Sequence, residues 1–285
     1  TKGSISVKAA VTSIGALTIL TNEKGNEAVI NGYYGGVDAP NFDENEIVSV
    51  TSNINVRKVT LARTFSENKI STLYVPFEIS ADKVVGAKIY KFKSVEKNEA
   101  DGRWKFKVSV AESIKANTPY VILPSKPEVF FDSSKSVILN TTTAGEETSN
   151  GRWEFKGTYE LTTFAETNDE AFYVFAGQER AGTKLGEFVK SGGFANPMRA
   201  YLVYNKKSAL SKSAHGNLGG SILLPDELDI EIENEKGVVV QTGKINTVTG
   251  AVRMDCWFDL KGRRLNSKPT VKGTYYKNGK KVIIR

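Results

Sequence analysis

The chain has 285 residues, 40% hydrophobic and 25% charged, enough for one large or two ordinary folded domains and unlike a disordered or fibrous protein. Its longest apolar-leaning run, AAVTSIGALTIL, is broken by Thr and Ser and falls short of the ~18 residues of a membrane helix. The lone Cys256 rules out an intrachain disulfide, and a net charge of +7 is placed unevenly. Nine of the 39 cations lie at 261, 263, 264, 268, 272, 277, 280, 281 and 285, with no acid after Asp259. The remaining 30 cations face 32 acids, so the body carries no electropositive field and nucleic acid is not an expected partner.

Thr1 opens the sequence without Met or signal peptide, which reads as a processed product or an excised fragment. From there the pattern is one of short β-branched and aromatic runs separated by Gly, Asn, Asp and Ser. ALTILTN, an EKGN turn and EAVINGYY predict a first hairpin, so residues 1–54 read as a hairpin segment that fits the end of a preceding module. Residues 55–204 supply VRKVTLARTF, STLYVPFEI, AKIYKFKSV, PYVILPS, KSVILNTTT, RWEFKGTYELTTF, AFYVFAG and MRAYLVY, all strand-like. SADKVVG is the one segment that reads as a helical turn.

Two stretches repeat, DGRWKFK from Asp101 and NGRWEFK from Asn150. Asp-Gly and Asn-Gly favour tight turns, and the period of two that follows puts Trp104, Phe106 and Val108 on one face, Arg103, Lys105 and Lys107 on the other. The second copy places Trp153 and Phe155 likewise. Residues 205–221, rich in Ser, Gly and Lys, read as a linker. Beyond it LDIEIE alternates strictly, and residues 222–285 read as a small second β domain. The expectation is therefore an all-β chain: an antiparallel sandwich, with a jelly-roll-like arrangement among its options, followed by a smaller β-sandwich.

Chemistry is hard to find in the sequence. His215, the only histidine, sits in the linker, away from the rigid element a catalytic imidazole needs. One His and one Cys do not make a zinc set, and Cys256 beside Trp257 reads as a buried inert thiol. GQERAGTK (177–184) approaches a phosphate loop, but Thr183 and Lys184 stand in the wrong order and no helix follows. Glu146 and Glu147 fall in a Thr/Gly/Ser loop, and no carboxylate pair stands out. No enzyme, metal or cofactor is expected. Trp104, Trp153, Trp257 and the Tyr33–Tyr34 pair are the residues that would stack on sugars, against the commoner role of such aromatics as core. The basic final stretch is the feature suited to phosphates or to surface lipopolysaccharide, against the commoner role of such a run as a solvated face, and polysaccharide is the partner that the sugar-stacking aromatics would take.

Several phrases in order carry a resemblance: RTFSENKISTLYVPFEI, IKANTPYVILPS, LNTTTAGEETSNGRWEFKGTYE, NPMRAYLVY, LPDELDIEI and the closing residues. Together they resemble a group of secreted or surface proteins of Bacteroidetes- and Fibrobacteres-type bacteria, over most of residues 55–285. The end resembles the C-terminal sorting domain of type IX secretion. Asp259, Gly262 and Arg263 match a D-x-x-G-R element, Lys272, Gly273 and Tyr275 a KG-x-Y element, and Lys280 and Lys281 lead the apolar close Val282–Ile284. The resemblance implies recognition by the type IX machinery and arrival outside the cell or at its outer surface. The missing catalytic set, the β pattern and the tail together read as a non-catalytic display or adhesion module, with a carbohydrate-binding module as the alternative.

Overall fold

The computed structural model describes residues 17–20, 27–30, 41–50, 53–56, 58–98, 100–132, 136–149, 152–165, 167–176, 188–190, 193–206 and 225–285. Over these the protein is all-β and sandwich-like, as expected. SADKVVG supplies a single 3₁₀ turn, Ala81–Lys83. The first hairpin forms, with Leu17–Leu20 antiparallel to Glu27–Ile30. Tyr33, Tyr34, His215 and the 177–184 loop lie outside the described residues, as does the linker from 207 onward.

Two sheets make the body. The larger runs Val252–Met254, Val239–Asn246, Glu227–Glu233, Trp104–Val110, Ala87–Lys97, Tyr120–Pro124, Ser71–Leu73. The smaller runs Glu146–Ser149, Trp153–Thr158, Arg199–Asn205, Glu170–Phe175, Phe188–Lys190. Glu146 and Glu147 thus belong to a strand paired with Phe155 and Lys156 rather than to a loop. Between the sheets lies an aromatic core that includes Phe92, Phe106, Trp153, Phe155, Tyr173 and Tyr204. Each such ring withdrawn from water stabilises the fold by about 1.5–3 kcal/mol.

The repeated motif builds this core from both sides. Phe106 of the first copy and Phe155 of the second both touch Phe92, with ring centroids 5.7 and 5.2 Å away. An extra residue in the long strand, Lys93, shifts the register and lets Phe92 and Val95 face the same core. The opposite side of the Ala87–Lys97 and Tyr120–Pro124 strands is covered too. Ile89, Tyr120 and Ile122 pack there with Phe42, Val59, Phe77 and Phe131.

Residues 227–254 are not separate from the body. Glu227–Glu233 hydrogen-bonds in parallel beside Trp104–Val110, pairing Phe106 with Ile230 and Val108 with Ile232 inside. A parallel neighbour requires a long crossover, and the chain from 111 to 226 provides it. Outside, the basic stripe of the first RWKFK copy meets the acidic stripe of LDIEIE: Lys105 bridges Glu231 at 2.8 Å and Arg103 approaches Asp229 at 3.9 Å. Opposite charges favour this register, whereas a one-residue slip turns Ile230 out and Glu231 in. The boundary drawn at residue 222 therefore does not coincide with an edge in the hydrogen bonding. What stands apart is the four-stranded sheet of residues 257–284. Nor do residues 41–50 belong to a preceding module, because Asn41–Asp43 pairs in parallel with Thr60–Ala62 and Phe42 is buried in the body's core.

A buried ionic junction ties these parts together. Glu44 Oε2 accepts from Arg199 Nε at 3.0 Å and also from Arg199 Nη2. Arg63 Nε lies 3.2 Å from the same oxygen, without hydrogen-bond alignment. Arg63 donates onward to the Thr72 carbonyl at 2.8 Å and to Ser71 Oγ at 2.5 Å. The Thr72 hydroxyl in turn bonds the Ala200 backbone at 2.9 Å, crossing from one sheet to the other. Burial and then the Arg199 charge pull the Arg63 pKa well below its ordinary value, and Glu44 opposes that pull.

Glu44→Gln leaves two buried guanidiniums facing each other and should cost about 3 kcal/mol in urea unfolding. Glu231→Gln, which breaks a partly solvated pair, should cost at most about 1 kcal/mol. Equal effects would show that the junction does not hold the body together.

Candidate functional site

The four-stranded sheet grows from three local devices. Trp257–Phe258 pairs with Arg264–Leu265 on one side and with Gly273–Lys277 on the other, and Lys280–Ile284 forms the far edge. The D-x-x-G-R element is the turn between the first two strands. Asp259 Oδ1 accepts from the backbone N–H groups of Lys261 and Arg263, both at 2.9 Å, and Oδ2 takes Arg263 Nε at 2.7 Å. Gly262 has φ +76, a conformation that side-chain-bearing residues disfavour. The Arg263 N–H is the main cause holding the Asp259 carboxyl below its ordinary pKa.

The KG-x-Y element is equally local. Tyr275 lies over Gly273, where a Cβ would come within 3.3 Å of the ring, and its hydroxyl donates to the Val271 carbonyl at 3.1 Å. Lys272 is exposed. Asn278 and Gly279, with φ +49 and +79, close the last hairpin as Asn-Gly does in tight two-residue loops.

Docking onto the body runs through Asp255, which the sequence reading passed over. Its Oδ2 takes the Lys277 ammonium at 2.7 Å and the Thr242 hydroxyl at 2.5 Å, and its Oδ1 takes Asn278 Nδ2 at 2.6 Å. Thr242 is on the larger sheet; Lys277 and Asn278 are on the small one. Two backbone bonds reinforce the joint, from Asp255 to Thr242 at 2.8 Å and from Lys268 to Val240 at 2.7 Å. Burial pushes the Asp255 pKa up, but the bonds from Lys277, Thr242 and Asn278 outweigh it and hold the carboxyl below its ordinary range. The one hint in the sequence was a carboxylate interrupting VRMDCWF.

Little of this sheet is buried. Trp257 is 4% exposed, whereas Leu260, Val271 and Ile283 are 67%, 70% and 60% exposed. Of the nine cations counted from the sequence, Arg263 pairs with Asp259 and Lys277 with Asp255. The other seven, Lys280 and Lys281 included, have no acid partner among the described residues. A cleft of about 280 Å³ opens between Gln241 of the body and Trp257 and Arg264 of the small sheet. It is below the usual size of a ligand pocket.

The tryptophans fall mainly inside. Trp153 is 1% exposed and packs on Tyr173 and Tyr204, and Trp257 faces the body, so neither presents a ring face to a sugar. Trp104 is half-buried against the aromatic core. Cys256 is partly exposed rather than buried, because it lies between the strands Val252–Met254 and Trp257–Phe258, beside the Asn278 turn, which binds both its N–H and its carbonyl at 2.8 Å. Among the described residues no group of His, Cys, Asp and Glu side chains has the arrangement of a metal site, and no helix is long and apolar enough to cross a membrane. Comparison with protein-family models, curated proteins and solved structures finds no match to the chain.

Because the folded pKa of Asp255 lies below its unfolded value, its contribution to docking is complete above the unfolded pKa and lost as pH falls through the folded one. Acidification below about pH 4 should therefore shift the Trp257 indole resonance as the sheet loosens. Asp255→Asn should remove that step and already weaken docking by about 1–2 kcal/mol at pH 7. An unchanged acid transition in this variant would assign the step elsewhere, with the Asp259 turn the next group to test.

Proposed function

We propose that this chain is a non-catalytic secreted or cell-surface β-sandwich module, suited to display or adhesion, whose residues 257–285 serve as a type IX sorting element. The observation that carries the reading is the make-up of the four-stranded sheet. Each element that resembles the sorting signal folds on its own hydrogen bonds: Asp259, Gly262 and Arg263 in one turn, Gly273 and Tyr275 in one strand. The sheet meets the body at the Asp255 joint, the Lys268–Val240 backbone bond and buried Trp257, and it leaves Lys272, Lys280 and Lys281 in solvent. A receptor that reads a folded signal needs such a self-contained, accessible element. In the sandwich, by contrast, the prominent aromatic and charged groups are used in packing and pairing, which suits a scaffold.

Deleting residues 257–285 from the parent protein in the producing cell should leave the product in the periplasm. Asp259→Ala with Gly262→Val should do the same in part, by unmaking the turn. Normal surface arrival of the truncated protein would remove the sorting role.

A further inference from the structure

The register of the four-stranded sheet creates a pattern that joins Lys281 of the closing element to three residues outside the matched motifs. Phe258 lies opposite Arg264 on one side and Tyr276 on the other, and Tyr276 lies opposite Lys281. Directly paired residues project from the same face, so Arg264, Phe258, Tyr276 and Lys281 form one transverse row: cation, ring, ring, cation. Neighbouring strands are about 4.8 Å apart, which makes the row ~14 Å long. Trp257 and Leu265 project from the opposite face, toward the cleft, which Arg264 also borders from the outer strand of the sheet.

Three of the four positions are exposed, and Phe258 is half-buried. Tyr276 is 38% exposed, and Ile283 beside it on the same face is 60% exposed. Arg264 and Lys281 are exposed, and neither has an acid partner among the described residues. The Tyr276 hydroxyl likewise has no hydrogen-bond partner there. An inert solvated face would not be expected to set two aromatic rings between two unpaired cations.

The geometry points to a binding surface for an anionic polysaccharide whose sugars carry carboxylates. Sugar rings offer flat C–H faces that pack on Phe258 and Tyr276, while the tyrosine hydroxyl is placed to bond a sugar hydroxyl. Acidic substituents on the flanking sugars meet Arg264 and Lys281, the guanidinium being suited to take a carboxylate through two parallel bonds. A neutral glycan would leave both cations unused. An acidic polypeptide would use the cations without needing the rings. Nucleic acid fits less well, because single-strand binders line a cationic groove, whereas this row lies on an open sheet attached to a body with 30 cations against 32 acids.

The proposal does not rest on the export reading and is tested on the purified chain. Calorimetric titration with oligogalacturonate should show binding that weakens with added salt, and dextran of similar length should not bind. Tyr276→Thr, which preserves strand propensity, should weaken binding about tenfold, as should Arg264→Gln combined with Lys281→Gln. Lys236→Gln, in the exposed turn after Glu233 and far from the row in sequence, should change it by less than about twofold. Circular dichroism of the variants verifies that the sheet is intact. Absence of binding, equal binding of dextran, polyglutamate or oligo-dT, or an unaffected Tyr276→Thr variant would each overturn the proposal.

Discussion

A sheet with an apolar face persists only if something covers that face, and in this protein two sheets cover each other. The aromatic core between them is supplied from both sides by one repeated motif, with Phe106 and Phe155 meeting at Phe92. At Ile89 and Tyr90 the long strand is itself buried on both sides, and Phe42, Val59, Val129 and Phe131 are drawn in to cover the Ile89 face. The Glu44 junction follows from that second layer. Where Arg63 and Arg199 are forced together out of water, a carboxylate must accompany them, and residues 41–46 bring it.

The same constraint explains what is unusual about residues 257–284. The strands at 227–254 extend the larger sheet, and their inward Leu228, Ile230, Ile232 and Ile245 share the common core. The four-stranded sheet has no comparable cover. It keeps its shape through turn chemistry at Asp259 and Asn278, through Tyr275 lying on Gly273, and through the Asp255 joint. Its surfaces are correspondingly open and cationic. A small sheet held by one cluster of hydrogen bonds and the buried Trp257 adds little cover to the common core.

Much of the fold was legible because strands write period two into the sequence. LDIEIE, the RW-x-FK copies and the Asp101-Gly102 turn were each informative locally, and each formed where expected, while Asn150-Gly151 lies outside the described residues. Partnership between distant strands was not legible. Nothing in linear order says that Lys105 will lie beside Asp229, because the match is between two stripes separated by a long crossover. Glu44 was hidden for the same reason, its partners being Arg63 and Arg199. Asp255 left only the trace of a charge inside an apolar run. The elements of the small sheet were visible as motifs because they close on themselves within a few residues. The cation–ring row was invisible because it runs across four strands, with each strand contributing one residue.

Residues 257–284 form a small sheet tied to the sandwich at the Asp255 joint and at buried Trp257. Native-state amide hydrogen exchange measures how separately it opens. Two levels of protection are expected. Amides of Phe92, Phe106, Phe155 and Ile230 should exchange only through global unfolding, while those of Tyr275, Tyr276 and Val282 should exchange through a much cheaper local opening. A single level shared by both groups, with the same denaturant dependence, would mean that the small sheet and the sandwich are one cooperative unit and that the joint does not set it apart.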